Sequence, residues 1–171
     1  MKTLMHVVVL AMMPLCAWNT TARADAIFEE RPCGEGNAVC ETISPGTSFP
    51  RHLRSTAFAV ARSGKAQVSL QGSMLCSNTG STPAVVDLVT QIVTSQNATP
   101  VINGPGGARH AIVLLPTELG TSDSFNLAST RVVSIPPGQS VISFNVTSLR
   151  MDPDTSCVIY NLGFSVLYIE G

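Results

Sequence analysis

Three observations predict an all-β fold, an antiparallel β-sandwich stapled by disulfides. Short runs rich in Val, Ile, Leu and Phe recur along the chain and are broken by Gly, Pro, Ser, Asn and Asp. No stretch beyond the amino-terminal leader sets helix formers at i, i+3 and i+4 behind an N-cap over a helix's length. Four cysteines, an even number, lie beyond that leader in a chain addressed for export.

The leader is the first element. Lys2 supplies a positive start, the run from Val7 to Ala17 is apolar, and Ala22-Arg23-Ala24 has the small-x-small pattern of a signal-peptidase site. Residues 1–24 are therefore expected to be a cleaved signal peptide. The mature chain would begin at Asp25, in a periplasmic, secreted or cell-surface setting. The apolar run falls short of the roughly 20 residues of a spanning helix and is interrupted by Pro14. Cys16 follows Leu15, where a lipid-attachment signal would place a small residue. No later run is long and apolar enough to cross a bilayer as a helix, so no integral membrane segment is expected in the mature chain.

What remains is enough for one core. Residues 25–54 contain Pro32, Pro45, Pro50 and two close cysteines with few regular apolar positions, and are expected to form an irregular, disulfide-bridged lead-in with room for one short edge strand. Residues 55–171 would be the sandwich. With Lys2 and Arg23 gone, eight basic residues face eleven acidic ones, a formal charge of −3, and Lys65 is the single lysine. Such a surface attracts neither nucleic acid nor anionic lipid.

Seven candidate strands follow in order: 56–62, 66–72, 84–94, 110–115, 130–135, 141–149 and 157–169. The clearest alternation sets Ile142, Phe144 and Val146 toward the core and Ser143, Asn145 and Thr147 toward solvent. In the last run, Val158, Tyr160, Leu162, Phe164, Val166 and Tyr168 share a face if the strand is straight. A bulge or tight turn at Asn161-Leu162-Gly163 would flip the register beyond it.

Cys33 and Cys40 bracket a short glycine-containing turn and are expected to pair, leaving Cys76 for Cys157. Cys76 ends an early strand and Cys157 begins a late one, the placement of an inter-sheet bridge, so an immunoglobulin-like or related sandwich of about seven strands is expected. The buried tryptophan of true immunoglobulin domains is missing, because Trp18 lies in the leader. No family is assigned.

Elimination narrows the chemistry. These cysteine spacings are not zinc knuckles, and no metal or other cofactor is expected. Oxidised cysteines remove a thiol nucleophile, and His52 and His110 are the mature chain's two candidate bases. Gly120-Thr121-Ser122-Asp123-Ser124 lacks the second glycine of a nucleophile elbow. Asp152-Pro153-Asp154 reads as a turn, without the glycine and terminal acid of a calcium loop. No catalytic residues are assigned.

Recognition falls to loops. Residues 99–109 carry Gly104-Pro105-Gly106-Gly107 and then Arg109; bare glycine amides beside a guanidinium could hold an anion, so Gly104, Gly106, Gly107 and Arg109 are the candidate binding residues. Residues 116–129 and the basic cluster Arg51, His52 and Arg54 are further candidates. Asn97-Ala98-Thr99 and Asn145-Val146-Thr147 fit glycan acceptors, with Asn145 expected to point outward. The expected function is non-catalytic binding or assembly as a surface, pilus-like or protein-binding subunit. The partner would be a protein or extracellular polymer, with oligomerisation through an edge such as the terminal strand. The alternative is a small secreted hydrolase, or an inhibitor of one.

Overall fold

The computed structural model describes residues 26–30, 33, 39–116 and 122–171. The expected signal peptide and the glycine turn between the first two cysteines lie outside the described residues. Among the described residues nine strands run antiparallel: β1 (Ala26–Glu30), β2 (Val39–Ile43), β3 (Arg51–Val60), β4 (Gly64–Asn78), β5 (Ala84–Val93), β6 (Gly107–Leu114), β7 (Asp123–Ile135), β8 (Gly138–Met151) and β9 (Thr155–Glu170). Sheet A has the order β1-β9-β4-β7, with β2 also on β9, and sheet B has the order β3-β8-β5-β6. Each of the seven expected runs is a strand.

Period-two alternation builds the core. Val68, Leu70 and Met74 of β4, with Phe164 and Val166 of β9, face Val86, Leu88 and Ile92 of β5 and Ile142, Phe144 and Val146 of β8; all are buried. Each such side chain stabilises the fold by about 1.5–3 kcal/mol relative to exposure.

Four expectations are corrected or resolved. The lead-in is more regular than its prolines suggest: β1 and β2 lie end to end along one side of β9, Ala26 opposite Tyr168 and Ile43 opposite Cys157. The terminal strand is consequently no edge, since β9 pairs with β1 and β2 on one side and β4 on the other. Its register does break. Gln71 faces Gly163 but Ser73 faces Tyr160, so Gly72 opposes both Asn161 and Leu162 in a bulge. Asn161 takes φ 50°, which Asn tolerates better than most residues. Ile159 and then Leu162, Phe164 and Val166 are buried, so the face changes at the bulge. A Cβ at Gly72 would crowd the bulge, 2.9 Å from Leu162 Cδ1 and 3.2 Å from the Leu162 Cα and the Tyr160 carbonyl.

Both disulfides pair as expected, Cys33–Cys40 and Cys76–Cys157. The second does not join the two sheets. Cys76 and Cys157 are direct cross-strand neighbours on β4 and β9, Cα atoms 4.0 Å apart, so the bridge lies within sheet A and is not the inter-sheet bridge expected from strand positions. The first bridge ties the lead-in to the bulge, where the Cys33 amide donates to the Leu162 carbonyl.

Candidate binding face

The outer face of sheet B holds the sequence-predicted residues and divides into two halves. Because Val86, Leu88 and Ile92 face the core, Val85, Asp87, Val89, Gln91 and Val93 face outward, flanked by alternate residues of β6 and β8.

Over the β5 carboxyl end this face is covered. Residues 94–106 fold back across it, held by two neutral polar side chains. Gln91, 4% exposed, accepts from the Val101 amide at 3.0 Å and donates to the Pro105 carbonyl at 3.1 Å. Asn145, fully buried, donates to the carbonyls of Gln96 at 2.8 Å and Ala98 at 2.7 Å, while its Oδ1 accepts from the Ser143 hydroxyl. Ser143, Asn145 and Thr147 are thus buried, Asn145 directly beneath the loop, not solvent-facing as the alternation suggested. Asn145 is also closed to glycan attachment, whereas Asn97 is exposed.

The glycines shape this cover. The Gly104 amide donates to the Val101 carbonyl and the Gly107 amide to the Gly104 carbonyl, so both are used within the loop's turns. Gly106, at φ 68°, leaves space for no side chain, since its Cβ would stand 2.8 Å from Arg131 Cβ. Its carbonyl accepts from Ile92 N and Ser129 Oγ, and Arg131 of β7 donates across the sandwich to the Ile92 carbonyl.

Arg109 stands apart from these glycines, on the outer face of β6. Its Nε and Nη2 donate to Asp87 at 2.9 and 2.6 Å. Those hydrogen bonds hold the Asp87 carboxyl below its ordinary range, against the opposing effect of burial. Arg150 and Asp152 form a second forked pair, and Asp152 also accepts from the Val85 amide; Arg150 and then that amide lower the Asp152 carboxyl.

Toward the β5 amino end residues 94–106 no longer reach the face; Asp87 and Val89 are still buried, but apolar side chains flanking β5 stand exposed. Val113 is 64% exposed, Leu115 43% and Leu149 47%. Val113 sits opposite Val85, and Leu149 is the extra residue where β8 shifts register against β5. β6 pairs with β5 alone, so its other edge is unpaired among the described residues. Alternation alone could not single out this patch, because a buried strand and an exposed edge strand have the same apolar pattern.

The catalytic candidates are dispersed. His110 bonds the Thr90 hydroxyl at 3.0 Å and meets Phe125 edge to face, and burial lowers its pKa. His52 lies on β3, beside a groove with Arg51, which pairs with Glu41 at 3.1 Å. Asp154, at φ 61°, belongs to the β8–β9 turn, and its carbonyl accepts from the Thr79 amide and hydroxyl. Among the described residues no three His, Cys, Asp or Glu are grouped to hold a metal, and no helix is long and apolar enough to cross a membrane.

No family model matches the chain, and no curated protein matches it. Among solved structures it is similar to a CBM35 from Cellvibrio japonicus Abf62, at 14% identity and TM-score 0.29 over 83% of this chain and 93% of that one. It is also similar to a chain of infectious bursal disease virus, Gt strain, at 12% identity and TM-score 0.32 over 95% of this chain and 38% of that one. At these values neither likeness bears on the chemistry of the face.

Proposed function

We propose that the protein is an exported, non-catalytic β-sandwich that works by binding, with the β6 edge and the bare half of sheet B receiving an extended strand of a protein partner. One observation carries this reading: Val113 and Leu115 stand exposed along a strand edge that is unpaired among the described residues, with Leu149 of β8 also exposed on the far side of β5. Apolar surface gathered at one place marks interaction sites, and a free edge offers main-chain hydrogen bonds to an incoming strand. The two ion pairs around the patch, Arg109 with Asp87 and Arg150 with Asp152, neutralise themselves, which suits a neutral apolar partner strand. Arg109 borders the docked strand, and Gly104, Gly106 and Gly107 serve it by fixing the turn from which β6 starts.

The test is amide exchange of the mature protein, free and in the complex isolated from its native compartment. β6 amides are expected to exchange at least about tenfold more slowly in the complex, and Val113→Asp to abolish both that protection and retention of the partner with the circular dichroism unchanged. A complex that survives Val113→Asp with β6 unprotected overturns the reading. So does a turnover activity abolished by His52→Ala or His110→Ala in a folded protein, which would support the hydrolase alternative.

A further inference from the structure

A groove of about 610 Å³ opens at the covered end of sheet B, between residues 94–97 and the β7–β8 turn. Its volume is in the range of small-molecule sites. Ile135 and Ile142 back it, both buried, and Val141 and Pro136 add apolar surface. Its rims carry hydroxyls and carboxamides, Ser95, Gln96 and Asn97 on one side and Ser134, Gln139 and Ser140 on the other. No ionisable side chain lines it. In the adjoining groove past Asn97, Arg51 and Glu41 neutralise each other.

We propose that this groove binds a neutral glycan chain. A sugar hydroxyl donates and accepts at once, and Ser, Asn and Gln side chains can answer it in either sense. The C–H face of a sugar ring is apolar and suits the Ile-Val-Pro backing. A carboxylated or sulfated chain would leave its hydration without finding a cation in the groove. The rims are also pre-ordered, which lowers the entropic cost of binding. Asn145 holds the Gln96 and Ala98 carbonyls from beneath, Gln96 Nε2 donates to Ser55, and the opposite rim adjoins the tight turn at Gly138, φ 100°. This site lies at the opposite end of β5 from the Val113 patch, so it stands or falls independently of the strand-docking function.

Calorimetric titration of the mature protein with cellohexaose, maltohexaose and laminarihexaose, against hexagalacturonate as the charged control, tests it. At least one neutral hexasaccharide is expected to bind, and hexagalacturonate at least about tenfold more weakly. Asn97→Ala and Gln139→Ala should each weaken the neutral sugar about three- to tenfold, the value of one neutral hydrogen bond, and Ser140→Trp should abolish binding by filling the groove. Chemical shifts of the backbone confirm that each variant is folded. No binding of any neutral hexasaccharide at millimolar concentration overturns the proposal, as does equal or tighter binding of hexagalacturonate. Binding unchanged in Asn97→Ala, Gln139→Ala and Ser140→Trp overturns it too. So does a neutral alternating Val-Ser octapeptide that occupies these residues when the sugars do not.

Discussion

The two halves of sheet B's outer face are built on the same strands and solve exposure in opposite ways. Where residues 94–106 cover it, the outward side chains Gln91, Ser143 and Asn145 are polar and buried, and Gln91 and Asn145 bond the carbonyls of the cover. Beyond the reach of that loop, Val113 and Leu149 stand exposed, while the nearby charges pair with each other. Polarity on a strand face therefore does not mean water, nor apolarity core. Buried amides mark where the chain folds back on itself, and exposed aliphatics mark a surface with no cover of its own.

The largest expected effect removes the frame both halves share. Cys76→Ser with Cys157→Ser should cost about 4 kcal/mol in the chain-entropy view, because the bridge closes a long loop, and Cys33→Ser with Cys40→Ser about 2 kcal/mol. Urea unfolding measures both, and equal losses would deny the β4–β9 bridge its larger part. Next is the covered half alone. Asn145→Ala removes the side-chain donor of the Gln96 and Ala98 carbonyls and should cost about 1–3 kcal/mol, with amides in residues 94–106 exchanging faster and those of β9 little changed. A loop that stays protected in that variant would mean that Gln91 and packing hold it unaided.

The smallest effect concerns the ion pair at the border of the bare half. Asp87 has a lowered carboxyl, so its contribution to stability is fully present above the ordinary carboxylate range and is lost as pH falls through the lowered folded value. Arg109→Ala removes the main cause of that lowering. It should shift the acid-unfolding edge to higher pH while changing stability near neutrality far less than Asn145→Ala does. An acid edge that does not move would show that Asp87 is held down by something other than Arg109.

Much of this fold is legible in the amino-acid sequence, because strand periodicity and cysteine parity are local signals. Ile142, Phe144 and Val146 are core on alternation alone, and Asp152-Pro153-Asp154 is a turn by its composition. What escapes is whatever depends on a second segment. Ser143 and Asn145 look solvent-facing because nothing near them in sequence announces a loop arriving from fifty residues away. Cys76 and Cys157 look like inter-sheet partners because spacing does not say which strands lie side by side. β1 and β2 hide among prolines because their order comes from β9. The outer face of sheet B divides in the same way: the glycines and Arg109 stand out by type, but Val113 and Leu149 become notable only once the fold shows them exposed.

The bulge in β9 leaves a mark on how this chain would be aligned with any other. β4 alternates without interruption from Ala66 through Met74, so the irregularity belongs wholly to its partner. In effect β9 is a regular strand carrying one inserted residue. Striking out Asn161 would bring Leu162 into phase with Ile159 and set it squarely opposite Gly72, leaving the buried faces of both strands in step. A relative lacking that residue would keep the same core, and a comparison that refuses a single gap there would pair every inward side chain on one side of it with an outward one.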